Sequence, residues 1–200
     1  MRVYGADGLS LVDRFGVFLS QRPIRSVVGG YDRPDVLDVG CGFEATQLRA
    51  LAPLLHSGVG IDASVSNGAK ATPGLRFLEG TAEGVLPTVE SGSFDVVMMI
   101  SVLEHLWEPL EALRLARGAL RPGGSLVVNV PNWRGKEMLE LAAFRLHLSP
   151  TAADALDDHK TYYNKSDLWP LLVKAGFKSS QIRMRTHKFG LNLFAVARMS

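Results

Sequence analysis

A strand that ends in two closely spaced glycines constrains this fold more than any other feature of the sequence. Residues 35–39 read Asp-Val-Leu-Asp-Val, a short β-prone run, and Gly40 and Gly42 follow directly. Residues 45–56 then repeat apolar side chains at helical spacing. A glycine turn between a strand and a helix lets the backbone approach a ligand closely and points free N–H groups at it. This order predicts an α/β domain with a ligand site at its first strand-to-helix turn.

Apolar runs alternate with helical patterns along the rest of the chain. Residues 94–100 are apolar along nearly the whole run, which is typical of a strand buried on both faces of a parallel sheet. Residues 177–185 and 191–198 read as two adjacent strands, so we expect a hairpin and an antiparallel last strand. Further predicted elements are strands at 58–62, 75–78 and 126–130, helices at 109–120, 136–148 and 167–175, and a turn at 121–124.

Two acidic residues at strand ends narrow the ligand chemistry. Gly40 and Gly42 alone also fit a dinucleotide fingerprint. Asp38, however, stands two residues before the turn, where a carboxylate attracts a cation and repels a pyrophosphate. Asp62 ends the next strand, where acids accept hydrogen bonds from ribose hydroxyls. The pattern favours a ligand with a ribose and an ammonium or sulfonium group over NAD. Helix capping or a turn is the alternative role for both acids.

Five separated motifs follow one another along the chain: Asp38-Val39-Gly40-Cys41-Gly42, Gly60-Ile61-Asp62, Phe94-Asp95-Val96-Val97, Leu103-Glu104-His105 and residues 120–126. Together they resemble the class I S-adenosylmethionine-dependent methyltransferases, of types 11 and 23 and the group that contains the ubiquinone-pathway enzymes. The resemblance implies a Rossmann-like, doubly wound α/β sheet of seven strands in the order 3-2-1-4-5-7-6, with strand 7 antiparallel and helices on both faces. It also implies S-adenosylmethionine as cofactor and S-adenosylhomocysteine as product.

The resemblance implies a role for each matching residue of the cofactor site. Asp38 would face the methionine amino group, Asp62 would hold the ribose hydroxyls, and residues 81–83 would lie against the adenine. Phe43-Glu44 stands where the family usually has a small residue and a glycine, so a non-catalytic binding module with a narrowed pocket is an alternative. The cofactor contacts implied in this way are Asp38, Gly40, Cys41, Gly42, Asp62, Ala63, Thr81, Ala82, Glu83, Ile100 and Ser101.

Two histidines are the candidate catalytic residues. Methyl transfer to a hydroxyl needs a base for the hydroxyl proton, and histidine titrates in the useful range. We predict His159 as this base and His105 as the second catalytic candidate. Capping, pairing with Asp157 or Asp158, and lining of the cofactor pocket are their alternative, structural roles. The predicted substrate contacts, for which packing is the alternative, are Asn132, Trp133, Tyr162 and Tyr163.

A metal site competes with these roles for the same side chains. Related quinone and small-RNA methyltransferases, by the same resemblance, bind a divalent metal through a Glu-x-x-Glu-His motif and a later histidine. Ser101 occupies the first glutamate position here. Glu104, His105 and His159 would leave a weak site of mixed oxygen and nitrogen ligands, and we predict no metal.

Length and composition limit the class of protein and the number of domains. The chain has 200 residues, a net charge of +2 and one cysteine, so no intramolecular disulfide can form. Its apolar runs are far shorter than the roughly 20 residues of a membrane span, and its first residues lack the apolar core of a signal peptide. We expect one methyltransferase domain over residues 1–200, with a helical cap in 1–30 and a substrate lid in 131–166. We also expect a soluble, cytoplasmic protein, and no oligomeric state is predicted.

The acceptor is predicted only as a class. The polar segment before the last helix and the basic residues of 168–200 favour an anionic or sugar-containing small molecule, with O-methylation of a sugar or glycan precursor. A quinone or phenol acceptor is the alternative, and transfer to nitrogen or carbon stays open. Nucleic acid is not expected, because Ser101-Val102-Leu103-Glu104 follows strand four in place of a motif for methylating base amines.

Overall fold

The computed structural model describes residues 11–140 and 158–200, except for the side chains of residues 11–15 and 139. Parts of two predicted units, residues 1–10 of the cap and 141–157 of the lid, lie outside the described residues. The strands are β1 (Asp35–Val39), β2 (Ser57–Asp62), β3 (Leu75–Glu79), β4 (Phe94–Ile100), β5 (Leu120–Pro131), β6 (Ile182–His187) and β7 (Asn192–Arg198). The α-helices are α1 (Leu11–Val28), α2 (Thr46–Leu51), α3 (Asn67–Lys70), α4 (Ala82–Val85), α5 (Pro109–Ala119), α6 (Trp133–Glu140) and α7 (Lys165–Lys174).

The seven described strands form one sheet in the order β3-β2-β1-β4-β5-β7-β6, which confirms the predicted topology. Strand β1 lies at its centre and pairs in parallel with β2 and β4. Strand β7 runs antiparallel between β5 and β6. Because parallel strands end at the same edge of a sheet, the carboxyl ends of β1, β2 and β4 carry Asp38, Asp62 and Ile100 to one edge.

Helices cover both faces of the sheet, as predicted. Leu113 of α5 and Leu168 of α7 are fully buried in the core on one face. Ile24 of α1 and Leu48 of α2 are fully buried on the other. Each such side chain contributes about 1.5–3 kcal/mol by leaving water. None of the described helices is both long and apolar enough to cross a membrane.

Two element boundaries differ from the prediction for reasons in the backbone. Helix α2 ends at Leu51, and a short 3₁₀ turn, Ala52–Leu54, replaces the rest of the predicted helix, since Pro53 has no N–H to continue the α ladder. Strand β5 begins at Leu120 and takes in the predicted turn at 121–124. There Gly123 has a φ of 81°, and the register against β4 shifts between Phe94 and Val96.

Two helices begin earlier in the chain than predicted because side chains cap their N-termini. Helix α6 begins at Trp133 instead of 136, because the Oδ1 of Asn132 accepts the Gly135 N–H at 2.9 Å. Helix α7 begins at Lys165 instead of 167, because Asn164 and Asp167 form a capping box. After α7, β6 starts only at Ile182, because residues 179–181 form a 3₁₀ turn where a strand was predicted.

Candidate cofactor and acceptor site

The glycine turn after β1 leaves room for a ligand. Gly40 and Gly42 have φ values of 71° and 77°, the left-handed region that favours glycine. A Cβ on Gly40 would collide with Val102, whereas a Cβ on Gly42 would meet nothing within 4 Å. The N–H groups of Gly40 and Cys41 both donate to the Ile61 carbonyl, at 2.7 and 3.0 Å. The turn is therefore fixed to β2 and open above Gly42.

Asp38 places an uncompensated carboxyl group beneath this turn. The residue is 1% exposed, and its Oδ2 has no hydrogen-bond partner within the described chain. Burial, and then the nearby Asp62 charge, raise the pKa of Asp38 to about 8. A buried carboxyl group without a partner is costly unless a ligand satisfies it. The cationic methionine amino group expected from the sequence fits this position.

Asp62 links the second strand to the glycine turn. Its Oδ2 accepts the Gly42 N–H at 2.8 Å, so the end of β2 holds the end of β1 in place. In the role predicted for Asp62, the other carboxylate oxygen, Oδ1, would accept hydrogen bonds from ribose hydroxyls. Ala63 follows Asp62 directly, on the same strand end. Together with Asp38 and Gly42, this acid provides a site that fits S-adenosylmethionine.

Cys41 packs as an apolar residue within the turn. It is buried, and burial raises the pKa of its thiol, so the thiolate is disfavoured. A Cβ on Gly60 would lie 2.8 Å from the Cys41 sulfur and 2.7 Å from the Phe77 ring, which explains why β2 carries a glycine there. Cys41 therefore belongs to a small apolar cluster with Ala45, Val65 and Ala69 beside the turn.

The predicted adenine side of the site lies at the end of β3. The Thr81 Oγ1 accepts the Gly84 N–H at 3.1 Å and so caps α4, whose first turn contains Ala82 and Glu83. Glu79 accepts the Val65 N–H at 2.9 Å, which ties β3 to the segment after β2. The Thr81 hydroxyl therefore uses one lone pair to cap its helix and keeps its proton and a second lone pair for a ligand.

In the Phe43-Glu44 pair, which follows the glycine turn, the Glu44 carboxylate pairs with an arginine of α2. Glu44 forms an exposed ion pair with Arg49 of α2, with Oε2 at 3.3 Å from Nη1. The Phe43 carbonyl accepts the Ser66 N–H at 2.8 Å and joins the two loops. The next residue, Ala45, adopts a left-handed φ of 45°. The carboxylate of Glu44 is thus held on the surface of α2.

Strand β4 ends in a strained turn beside β5. Ser101 has a φ of 57°, in the left-handed region that non-glycine residues rarely adopt. Its N–H donates to the Asn129 carbonyl at 2.7 Å. Ile100 pairs with Asn129 in the ladder between β4 and β5. The predicted cofactor contacts at Ile100 and Ser101 therefore lie next to the last part of β5.

Glu104 is a second buried carboxyl group at this edge. The residue is 1% exposed, its Oε2 has no partner among the described residues, and burial raises its pKa to about 8. Its backbone carbonyl accepts the N–H groups of Lys160 and Thr161, at 2.6 and 3.3 Å. These bonds attach the segment that carries His159 to the end of β4.

The two predicted catalytic histidines lie together. The ring centroids of His105 and His159 are 4.8 Å apart, and the His159 Nδ1 lies 2.8 Å from the Tyr162 hydroxyl. Burial, and then the neighbouring His105, lower the pKa of His159 to about 4, so its imidazole is neutral near pH 7. Asp158 faces His105, with its Oδ2 at 2.9 Å from Nδ1.

One ligand atom from each of Glu104, His105 and His159 lies within 4.8 Å of the others. A carboxylate and two imidazoles are a donor set that could hold a divalent cation. The same His159 ring is already held by Tyr162 through Nδ1. That this chain uses no metal stays a prediction.

The four predicted substrate residues divide into two groups. The Trp133 side chain is 49% exposed, and its ring lies 5.7 Å from that of Tyr162, next to His159. Tyr163 is buried and donates its hydroxyl to the Leu103 carbonyl at 3.2 Å. Asn132 uses both amide atoms internally, since its Nδ2 donates to the Gly190 carbonyl at 2.8 Å and its Oδ1 caps α6. Trp133 and Tyr162 line the histidine side, whereas Asn132 and Tyr163 hold the framework.

One polar residue of the site was missed from the sequence. Asn129 is completely buried, and neither its Oδ1 nor its Nδ2 has a hydrogen-bond partner among the described residues. The available signal was a polar side chain in the otherwise apolar fifth strand, at residues 126–130. That signal was weak because a polar residue near a strand end usually reaches water.

Comparisons with known proteins agree with this geometry. The pattern of the methyltransferase-domain family matches residues 12–182. A probable S-adenosylmethionine-dependent methyltransferase of Mycolicibacterium smegmatis is 31% identical over 78% of this chain and 57% of its own length. The ubiquinone biosynthesis O-methyltransferase of Dinoroseobacter shibae is 25% identical over 72% of this chain and 59% of its own length. The chain spans about half the length of the curated relatives it matches.

A solved structure shares the fold. A SAM-dependent methyltransferase from Thermotoga maritima superposes with a TM-score of 0.66, covering 95% of this chain and 92% of the other. The two sequences are 19% identical, so the likeness concerns the fold alone. The sheet order described above agrees with this shared fold.

Proposed function

Because this chain belongs to the methyltransferase-domain family, as a class I S-adenosylmethionine-dependent methyltransferase, we propose that it methylates an oxygen of a small polar acceptor. S-Adenosylhomocysteine would be the second product. The observation that carries the proposal is the buried, unpartnered carboxyl group of Asp38 beneath an open glycine turn. A cationic ligand stabilises the ionised form of such a group, and that ionised form would repel a diphosphate.

We assign the cofactor to the ends of β1 to β4. Asp38 would bind the methionine amino group, Asp62 the ribose hydroxyls, and the residues around Thr81 the adenine. When bound, S-adenosylmethionine supplies a methyl group that is already activated by its positively charged sulfur. Alignment of the acceptor is therefore the protein's main task, together with removal of one proton.

His159 is the base in this proposal. In the tautomer whose Nδ1–H donates to the Tyr162 oxygen, Nε2 keeps a free lone pair. As the new oxygen–carbon bond formed and the methyl carbon–sulfur bond broke to leave S-adenosylhomocysteine, the acceptor hydroxyl proton would pass to Nε2 and later leave to solvent. The low pKa of His159, about 4, keeps the ring neutral before the reaction. His105, held by Asp158, packs against this ring and fixes its position.

The acceptor we favour is a sugar or glycan precursor, with an anionic group as an option. The anionic option is supported by basic residues only: Lys160, which follows His159 and pairs with Asp158 at 3.7 Å, and Arg183 and Arg185 on β6. A phenol or quinone acceptor is the second candidate. It is favoured by two exposed indoles near the histidines, Trp107 and Trp133, which offer aromatic surface.

A transfer assay with labelled S-adenosylmethionine tests the proposal. Simple sugars and sugar phosphates form one arm, and phenols form the other. Transfer of label to oxygen that depends on both Asp38 and His159 supports the proposal. Label transfer to an amine or carbon acceptor in place of oxygen, or transfer unaffected by His159→Ala, contradicts it.

A further inference from the structure

Asn129 offers two hydrogen-bonding atoms that the described protein leaves unused. Its Oδ1 and Nδ2 both lack a partner, and the residue has no exposed surface. An unsatisfied buried polar atom costs about 1–3 kcal/mol, so two on one side chain are a substantial penalty. An apolar residue of the same shape, leucine, would avoid that cost. A ligand that donates a hydrogen bond to Oδ1 and accepts one from Nδ2 would remove this penalty.

The sheet register places this amide on the face that carries Asp38. Asp38 pairs with Met98 of β4, and Met98 pairs with Val127 of β5. Because side chains alternate along a strand, Asn129, two residues after Val127, points to the same face. Strands β1 and β5 are separated only by β4 and the two residues are offset by two positions along the strands, so the two side chains start roughly 12 Å apart.

Asn129 also lies beyond the cofactor, on the acceptor side. It pairs with Ile100, and its carbonyl accepts the Ser101 N–H at the turn where β4 ends. The methionine end of the cofactor is assigned to β1 and β4. A ligand group bound at the end of β5 would therefore lie next to the methionine end of the cofactor. The acceptor has to occupy that position to receive the methyl group.

Helix α1 packs on this same face of the sheet, with Ile24 and Val28 in its core. Gln47 donates to the Val17 carbonyl at 3.0 Å, and the His187 ring bonds to the Leu19 backbone. The Leu19 carbonyl is available for this bond because Pro23, four residues on, has no N–H to donate to it. The face that carries Asp38 and Asn129 therefore lies between the sheet and α1.

We propose that the Asn129 carboxamide is the specificity-determining contact for an acceptor with two adjacent hydroxyl groups. One hydroxyl donates to Oδ1 and the other accepts from Nδ2–H, which satisfies both atoms at once. This inference rests on the proposed function. A sugar-type diol and a catechol share this chemistry. A buried amide built for two hydroxyls discriminates strongly against a ligand that lacks one of them.

Two asparagines provide a matched test of the unused amide. Asn129→Leu removes unsatisfied atoms, so we expect a Tm equal to or above that of the wild-type protein. Asn132→Leu removes an amide whose two atoms are bonded to Gly190 and Gly135, so we expect its Tm to fall. A fall for Asn129→Leu as large as that for Asn132→Leu would mean that the amide has a structural partner, and would overturn the inference.

Methyl transfer tests the ligand class with simple probes. Labelled S-adenosylmethionine is offered with catechol or cis-1,2-cyclohexanediol, and with phenol or cyclohexanol as single-hydroxyl controls. We expect transfer to at least one diol, at least tenfold faster than to its control, and loss of that preference in Asn129→Leu. The two diols distinguish an aromatic from a sugar-like source. Equal transfer to diol and control, or no transfer to either diol, overturns the inference.

Binding of S-adenosylhomocysteine distinguishes an error in the role of Asn129 from an error in the proposed function. We expect Asn129→Leu to bind S-adenosylhomocysteine with a Kd within about twofold of wild type, because the amide lies beyond the cofactor. A wild-type protein that does not bind S-adenosylhomocysteine contradicts the proposed function itself. A wild-type protein that binds it without any diol preference contradicts only the role of Asn129.

Discussion

The Gly42 N–H donates to the Asp62 Oδ2 at 2.8 Å, so one carboxylate both ends β2 and holds the turn that follows β1. Asp62→Ala removes this bond and the ribose contact together. We expect S-adenosylhomocysteine affinity to fall by a large factor and the free energy of unfolding to fall by about 1–2 kcal/mol. Calorimetric titration and urea unfolding measure the two effects.

Asp167→Ala is the control for this substitution. Asp167 accepts the Asn164 N–H at 2.8 Å in the capping box of α7, so its loss also lowers stability. Its effect on S-adenosylhomocysteine affinity should be negligible. An Asp62→Ala protein that binds as well as Asp167→Ala would remove Asp62 from the cofactor site.

Asp38 is expected to reduce the stability of the ligand-free protein. Its pKa is about 8 in the folded protein, compared with an ordinary value of 3.8. Between these two pH values the carboxyl group is therefore protonated in the native state and ionised in the unfolded state. Stability contributed by this site therefore falls as pH rises from about 4 to 8. We expect Asp38→Asn to raise Tm at pH 8 and to change it little at pH 4.

Asp35 should behave in the opposite way and serves as the comparison. Arg121 at 2.8 Å and Ser57 at 2.6 Å hold its carboxylate, and they lower its pKa to about 2 although burial acts against them. The stability from this ionised group is present above pH 3.8 and is lost as pH falls toward 2. Asp35→Asn should therefore lower Tm near neutral pH. A Tm that also falls for Asp38→Asn at pH 8 would contradict the unpartnered state of Asp38.

Cofactor binding should release a proton near pH 7. The Asp38 carboxyl group is protonated there in the free protein and must ionise to bind an ammonium group. Affinity should therefore rise with pH toward 8, until the ligand's own amino group loses its charge. Titration in buffers of different ionisation enthalpy should show close to one proton released by wild type and none by any residual binding to Asp38→Asn. Equal proton release by both proteins would assign the effect to another group.

His159 and Tyr162 should affect turnover and leave cofactor binding intact. His159→Ala should bind S-adenosylhomocysteine as wild type does and transfer methyl groups at least roughly a hundredfold more slowly, since it lacks the base. Tyr162→Phe should cost less, because the base remains while its Nδ1 partner is lost. With cofactor and acceptor saturating, the wild-type kcat should fall as pH drops toward 4, where His159 gains a proton. Normal turnover by His159→Ala would reject it as the base.

The fold was predictable from the sequence because the relevant signals are local. The final hairpin depends on neighbouring residues, and the antiparallel pairing of β6 and β7 confirmed it. The sheet order that the family resemblance implies is confirmed too. The sequence did not predict which asparagine is hydrogen-bonded within the protein, Asn132, and which has an unpartnered amide, Asn129. Asn132 was predicted as a substrate contact, yet its amide bonds to Gly190, which is 58 residues away along the chain. Asn129 is unusual only because tertiary packing leaves it without a partner.

Calorimetric titration with S-adenosylhomocysteine, with NAD as the comparison ligand, tests the central claim most directly. The account predicts saturable binding of S-adenosylhomocysteine to one site of the wild-type protein, no binding of NAD, and loss of binding in Asp38→Ala. Binding of NAD, or S-adenosylhomocysteine affinity that is unchanged in Asp38→Ala, would contradict the assignment of the glycine turn as an S-adenosylmethionine site.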